Sequence, residues 1–161
     1  MSQVEKFTKI INFLKKYDVL EYASINKDFT IDVNGDVILT GYKLKEIPFQ
    51  FKMVNGDFLC DGCGLTSLKG CPEEVTGLFD CGCNSLTSLE GCPKRCGVFS
   101  CEHNKLTSLK GCPDYVQWEF YCSDNLFSTI RGIGKVGGMI YFDQYAGHLQ
   151  DLKYMGVIEN E

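Results

Sequence analysis

No apolar run in this chain approaches the roughly 18 residues of a membrane span, so no membrane-crossing helix is expected. Met1 to Leu20 breaks its apolar residues with charges every few positions, so a secretory leader is not expected either. A reducing cytoplasm and free thiols follow as the expectation. Positive charge is also short: Lys plus Arg is 16 against 21 Asp plus Glu, a net charge of −5. That balance argues against direct binding of nucleic acid, which wants clustered bases. Only two histidines occur, and no glycine-rich phosphate loop is present, so the usual catalytic and nucleotide-binding signatures are missing. Cysteine, at 10 residues or about 6%, falls short of a disulfide scaffold. Hydrophobic residues at 44% nevertheless exclude a disordered chain.

What is present is a repeat. The strings GDFLCDGCGLTSLKGCPEEVT, GLFDCGCNSLTSLEGCPKRC and GVFSCEHNKLTSLKGCPDYVQ begin at Gly56, Gly77 and Gly97. Weaker copies begin at Gly35, Trp118 and Gly138. The column Val37, Phe58, Phe79, Phe99, Phe120, Ile140 advances by 20 or 21 residues each time. Phe-x-Cys has the period of a strand with one buried face. Gly-Cys-Pro then ends any regular element, so the return limb is expected to be extended or a 3₁₀ turn.

The pattern F-x-C-x-x-N-x-L-T-S-L-x-G-C-P-x-x-V resembles a short bacterial-type leucine-rich repeat, with Phe and Cys in two of the usual Leu columns. The cysteine-rich form, following a helix and INKDFTIDVNGDV, resembles the leucine-rich repeat proteins of tailed bacteriophages. The resemblance covers residues 1 to about 146. It implies a curved solenoid with a parallel sheet on its concave side and no catalytic residue.

Most cysteines find a place in this repeat. Cys60, Cys81, Cys101 and Cys122 form an inward column, and Cys71, Cys92 and Cys112 form another before the Pro. Cys96 aligns with Val75 and Val116, and Cys63 aligns with Asn84, Asn104 and Asn125. A free Cys packs as a small hydrophobe, so these read as core. Only Cys83 has no column. Stacked strands bring cysteines within disulfide range, but a reducing compartment disfavours ladder disulfides; a zinc site at Cys60-x-x-Cys63 with Cys81-x-Cys83 is disfavoured because the inward columns fix Cys60 and Cys81. The Asn column is expected to bond backbone groups of neighbouring turns, weakening at Cys63 and Tyr42.

Residues 1–32 are expected to be a helical cap and lead-in strand, 33–146 the array, and 147–161 a C-terminal cap and tail, in one domain. Ser2 and Glu5 read as a capping box. Val4, Phe7, Ile10, Ile11, Leu14 and Tyr17 form one apolar helix face. Asn34-Gly35 is read as entering the first rung, because Val33–Val37 echoes Val54–Phe58. His148 to Ile158 are expected to form a short cap.

The residues alternating with the Phe and Cys columns face outward. They include Asp36, Asp57, Asp61, Asp80, Glu102, Glu119, Asp124 and Asp143, eight of 21 acids and none of 16 bases. His103 is the only potential cation there, and Tyr121 and Tyr141 lie side by side. This face is expected to engage a protein with a basic patch, through Asp57, Asp61, Asp80, Glu102, His103, Glu119, Tyr121, Asp124, Tyr141 and Asp143. No cofactor, metal or enzymatic activity is expected. Self-association through an end rung or the tyrosine pair is the alternative. A thiol enzyme built on Cys83 and His103, or a metal protein, is a third reading.

Overall fold

The computed structural model describes residues 2–154. Helix α1 (Gln3–Lys16) opens the chain. Its capping box forms: the Glu5 amide donates to Ser2 Oγ at 3.2 Å and the Ser2 amide to Glu5 Oε2 at 2.7 Å. Ile10 and Leu14 are buried under it, and Phe13 meets the ring of Phe49 edge-on at 5.6 Å. The helix therefore covers core that the first coil would otherwise expose to water. A 3₁₀ turn (Leu20–Tyr22) leads into β1 (Ala23–Ile25), which pairs antiparallel with β2 (Ile31–Val33).

From β2 onward the chain winds as a β-solenoid. Strands β2, β4 (Phe51–Val54), β6 (Glu74–Val75), β8 (Arg95–Cys96), β10 (Tyr115–Val116) and β12 (Lys135–Val136) stack in parallel, with β1 at the edge. They form the first sheet. The second sheet stacks β3 (Val37–Ile38), β5 (Phe58–Leu59), β7 (Leu78–Asp80), β9 (Val98–Ser100), β11 (Phe120–Tyr121) and β13 (Met139–Phe142). It ends in an antiparallel strand, β14 (Tyr145–His148), followed by α2 (Leu149–Tyr154). The expected C-terminal cap over His148 to Ile158 is thus a strand end and a short helix as far as Tyr154. Residues 155–161 lie outside the described residues.

The return limb differs from expectation. It is not merely extended: it carries a second parallel ladder, so the coil has two sheets rather than one. The physical reason is hydrogen-bond accounting. An extended segment stacked on its own copy leaves every N–H and C=O facing the next coil, and pairing them costs nothing further. Two-residue strands such as β6 are too short to show a period of two in sequence. The Asn34-Gly35 step does enter the first rung, joining β2 of one sheet to β3 of the other.

The core is built of stacked identical columns. Phe58, Phe79, Phe99 and Phe120 are fully buried. The rings of Phe58 and Phe79 stack at 5.8 Å and those of Phe79 and Phe99 at 5.8 Å. Cys60, Cys81, Cys101 and Cys122 form the next column with no exposure, and all ten cysteines are free thiols. Cys96 pairs in register with Val116 as a core residue. Burial pushes the Cys96 thiol up to about 12, so it is a packing group and not a nucleophile.

The Asn column binds the coils together. Asn104 Nδ2 donates to the carbonyls of Cys81, Cys101 and Glu102 at 3.0, 3.2 and 3.2 Å, and its Oδ1 accepts from the Leu86 amide at 2.9 Å. Asn84 and Asn125 repeat this arrangement. Cys63 takes the same place with its Sγ 2.8 Å from the Leu39 carbonyl and 3.6 Å from that of Asp61, while its own carbonyl accepts from the Leu44 amide. The ladder thins there because a thiol offers one donor where an amide offers two donors and an acceptor.

Candidate functional site

The outer face of the second sheet is laid out in columns by the parallel register. Residues just before the buried Phe column are Asp36, Asp57, Leu78, Val98, Glu119 and Met139. Residues just after it are Ile38, Leu59, Asp80, Ser100, Tyr121 and Tyr141. Two residues further on come Thr40, Asp61, Gly82, Glu102, Ser123 and Asp143. None of these is Lys or Arg. The first sheet differs. Its outer column reads Met53, Glu74, Arg95, Tyr115, Lys135, and beside it Lys52, Glu73, Lys94, Asp114 alternate in sign. The Arg95 guanidinium lies 5.0 Å from the Tyr115 ring centroid. Charge is therefore mixed on one face and of one sign on the other.

The acids do not all stand free. The Asp36 carboxylate accepts from the Asp57 amide at 2.8 Å, and the Asp57 carboxylate from the Leu78 amide at 2.7 Å. Stacked like charges on adjacent strands repel; here each is offset by a backbone donor from the next coil. Asp61 accepts from the Thr40 hydroxyl. Asp80 accepts from the Gly82 amide at 2.9 Å, and burial raises its carboxyl above the ordinary value. Burial also raises Glu102, with nearby His103 acting in the opposite direction. Glu119 is half-buried.

A second group gathers at the turn that follows the sheet. His103 Nδ1 lies 3.4 Å from Asp124 Oδ2. The Asp124 amide donates to Asp143 Oδ1 at 3.0 Å, and the Asp143 amide to Ser123 Oγ at 2.9 Å. Asp36 and Asp57 stand at the opposite margin of the sheet, so the structure brings Glu102, His103, Asp124 and Asp143 together and leaves Asp57 apart. Tyr121 and Tyr141 stack at 4.6 Å with planes 5° apart. Burial, then the neighbouring Tyr141, Glu119 and Glu102, raise the Tyr121 phenol.

Cys83 now has a column. Gly41, Gly62, Cys83, His103 and Asp124 occupy one turn position, and all have φ between 51° and 75°. Glycine serves that left-handed conformation without strain, and a side chain there costs about 1–2 kcal/mol. Cys83 and His103 are thus neighbours in a strained, exposed column. The contact formed by His103 is with Asp124. Among the described residues no group of three or more His, Cys, Asp and Glu side chains is placed to hold a metal ion. Among them, too, no helix is long and apolar enough to cross a membrane.

One residue escaped the sequence reading. At the corner entering the second sheet the column runs Gly35, Gly56, Gly77, Gly97, Trp118, Gly138. A Cβ on Gly56 would lie 2.6 Å from the Gly35 carbonyl oxygen, and on Gly138 2.7 Å from that of Trp118. The corner is too tight for a side chain, yet it holds the chain's single tryptophan, 46% exposed. The signal was legible: every repeat string but one begins with Gly.

No protein-family model, curated protein or solved structure matches this chain.

Proposed function

We propose that this protein is a non-catalytic binding module that engages a protein partner bearing a basic patch through the outer face of its second sheet. The observation that carries the reading is the segregation of charge between the two faces. An ordinary solvated surface mixes signs, as the first sheet does. Asp36, Asp57 and Asp80 are offset by backbone amides, whereas Glu102 and Glu119 leave negative charge for a partner to compensate, and a one-signed face speeds encounter with a cationic surface. The coil period of 20–21 residues and the parallel stacking are compatible with the leucine-rich repeat pattern. The resemblance to cysteine-rich phage repeats supports an accessory protein that acts on a host process or defence in the cytoplasm, where ten free thiols would persist.

The test is capture from a bacterial lysate by the native protein and by a triple variant, Glu102→Lys, Glu119→Lys and Asp124→Lys. These three are chosen because none of their carboxylates holds a backbone amide, unlike Asp36, Asp57 and Asp80. A partner retained by the native protein should be lost with the variant and at high salt. Equal recovery by both proteins refutes the reading. Self-association remains the second reading, favoured by the stacked Tyr121–Tyr141 pair; a dimer in sedimentation that Tyr121→Ser dissociates would establish it instead.

A further inference from the structure

We propose that Trp118 is the anchor of the binding face and that the partner segment is an extended, Lys- or Arg-bearing peptide strand lying across the coils of β9, β11 and β13. The inference rests on the binding function proposed above and assigns its central residue and the conformation of its ligand.

The corner chemistry singles out Trp118. At Gly56, Gly77, Gly97 and Gly138 a Cβ would strike the backbone of a neighbouring coil, which is why glycine fills the column there. The corner between β8 and β9 is one residue shorter: Cys96 and Phe99 are three apart, whereas Val75 and Phe79 are four apart. The indole covers this shortened corner, and a Cβ on Gly97 would meet its Cζ3. Filling the notch uses only part of the ring, which leaves the rest at the margin of the acidic sheet. Val98 and Met139 are half-buried in the column just inside that margin. A half-exposed indole beside aliphatic groups and acids has the composition of an interface anchor.

The ligand conformation follows from spacing. Along the coil of β11 the outward residues are Trp118 at the corner, then Glu119 and Tyr121. Glu119 and Tyr121 are two positions apart on a strand, about 6.6 Å. Alternate side chains of an extended peptide repeat at the same interval. A peptide laid along the coil would set one apolar side chain against Trp118 and Val98. Its next cation on that side would lie between Glu119 and Glu102, against the stacked tyrosine rings, where carboxylate and π-face act together. A helix repeats its face every 5.4 Å and turns its intervening side chains away, so it matches this row less well.

Selection of a random dodecapeptide display library on the native protein tests the proposal, since Trp118 reports binding by its own emission. Selected peptides should pair Lys or Arg with an apolar residue two positions away. Their binding should shift the Trp118 emission to the blue and weaken at least tenfold in Trp118→Gly, which carries the residue of every other coil. Should Trp118→Gly fold poorly, the emission shift in the native protein decides alone. If Glu102→Lys with Glu119→Lys abolishes binding, while Trp118→Gly binds within twofold of native and the emission does not move, the anchor is refuted and the binding face stands. If no basic peptide is enriched, or neither change matters, both readings fall.

Discussion

Replacing Asn104 by Ala should cost about 3 kcal/mol of stability, and the structure shows where that cost arises. The side chain is 7% exposed and makes four hydrogen bonds to backbone groups. Its three carbonyl partners do not become orphans when it is removed. The Cys81 carbonyl also accepts from Asn84, the Cys101 carbonyl from Asn125, and the Glu102 carbonyl from the Cys83 amide. Each of these losses is worth only the low end of a net hydrogen bond, about 0.5 kcal/mol. The Leu86 amide is different, because Asn104 Oδ1 is the acceptor that reaches it in the buried turn. An orphaned buried N–H costs about 1–3 kcal/mol, so this single donor dominates. Asn104→Asp separates the two contributions. It keeps an acceptor for Leu86 but points a carboxylate at three carbonyl oxygens. The new acid should therefore have a raised pKa in the folded state, and the variant should recover stability as pH falls toward the ordinary carboxylate range. The assay is urea unfolding followed by Trp118 fluorescence and by circular dichroism, with coincident transitions as the check on a single cooperative step. A loss below about 1 kcal/mol for Asn104→Ala at unchanged m-value would refute the reasoning.

Cys83→Gly should stabilise the protein by about 1 kcal/mol, because it relieves a left-handed side chain at a position where Gly41 and Gly62 already serve; a loss in thermal unfolding would contradict this. Gly77→Ala should cost more than about 2 kcal/mol, since its Cβ would lie 2.8 Å from the Gly56 carbonyl oxygen and crowd the Asp57 carboxylate. In a thiol titration of the folded protein one cysteine should react fast and vanish in Cys83→Ser, because Cys83 is the exposed thiol and burial lifts Cys63 to about 11 and Cys96 to about 12. Asp80→Asn should raise the melting temperature near pH 7 and leave it unchanged below the ordinary carboxylate pKa. Burial raises the Asp80 carboxyl, so the folded state binds its proton more tightly than the unfolded state, and stability is gained as pH falls through that raised value.

Much of this architecture could be read from residue order. The Phe, Cys and Asn columns recur at fixed spacing, and a fixed spacing admits a stacked coil and little else, since each copy is too short to bury its own apolar face. The capping box at Ser2 and Glu5 was legible because it depends on contacts three residues apart. The first sheet, on the return limb, was not legible. Its strands β6, β8, β10 and β12 are two residues long, and their pairing is decided by what the neighbouring coil presents, twenty residues away. The same holds for Cys83, whose place in a column is defined by backbone conformation and not by side-chain type.

By itself, then, the sequence determined the repeat, the inward columns, and the absence of Lys and Arg from the outward positions beside the Phe58–Phe120 column. Periodic contacts need only composition and spacing to declare themselves. The tertiary structure decided which acids are free to meet a partner. Asp36 and Asp57 hold amides of the coil beyond, whereas Glu119 stands beside a stacked tyrosine pair. It also showed that Trp118 occupies a corner built for glycine. Both facts depend on how one coil sits on the next, because hydrogen-bond partners and steric room are set by neighbours about 4.8 Å away in space and distant in the chain.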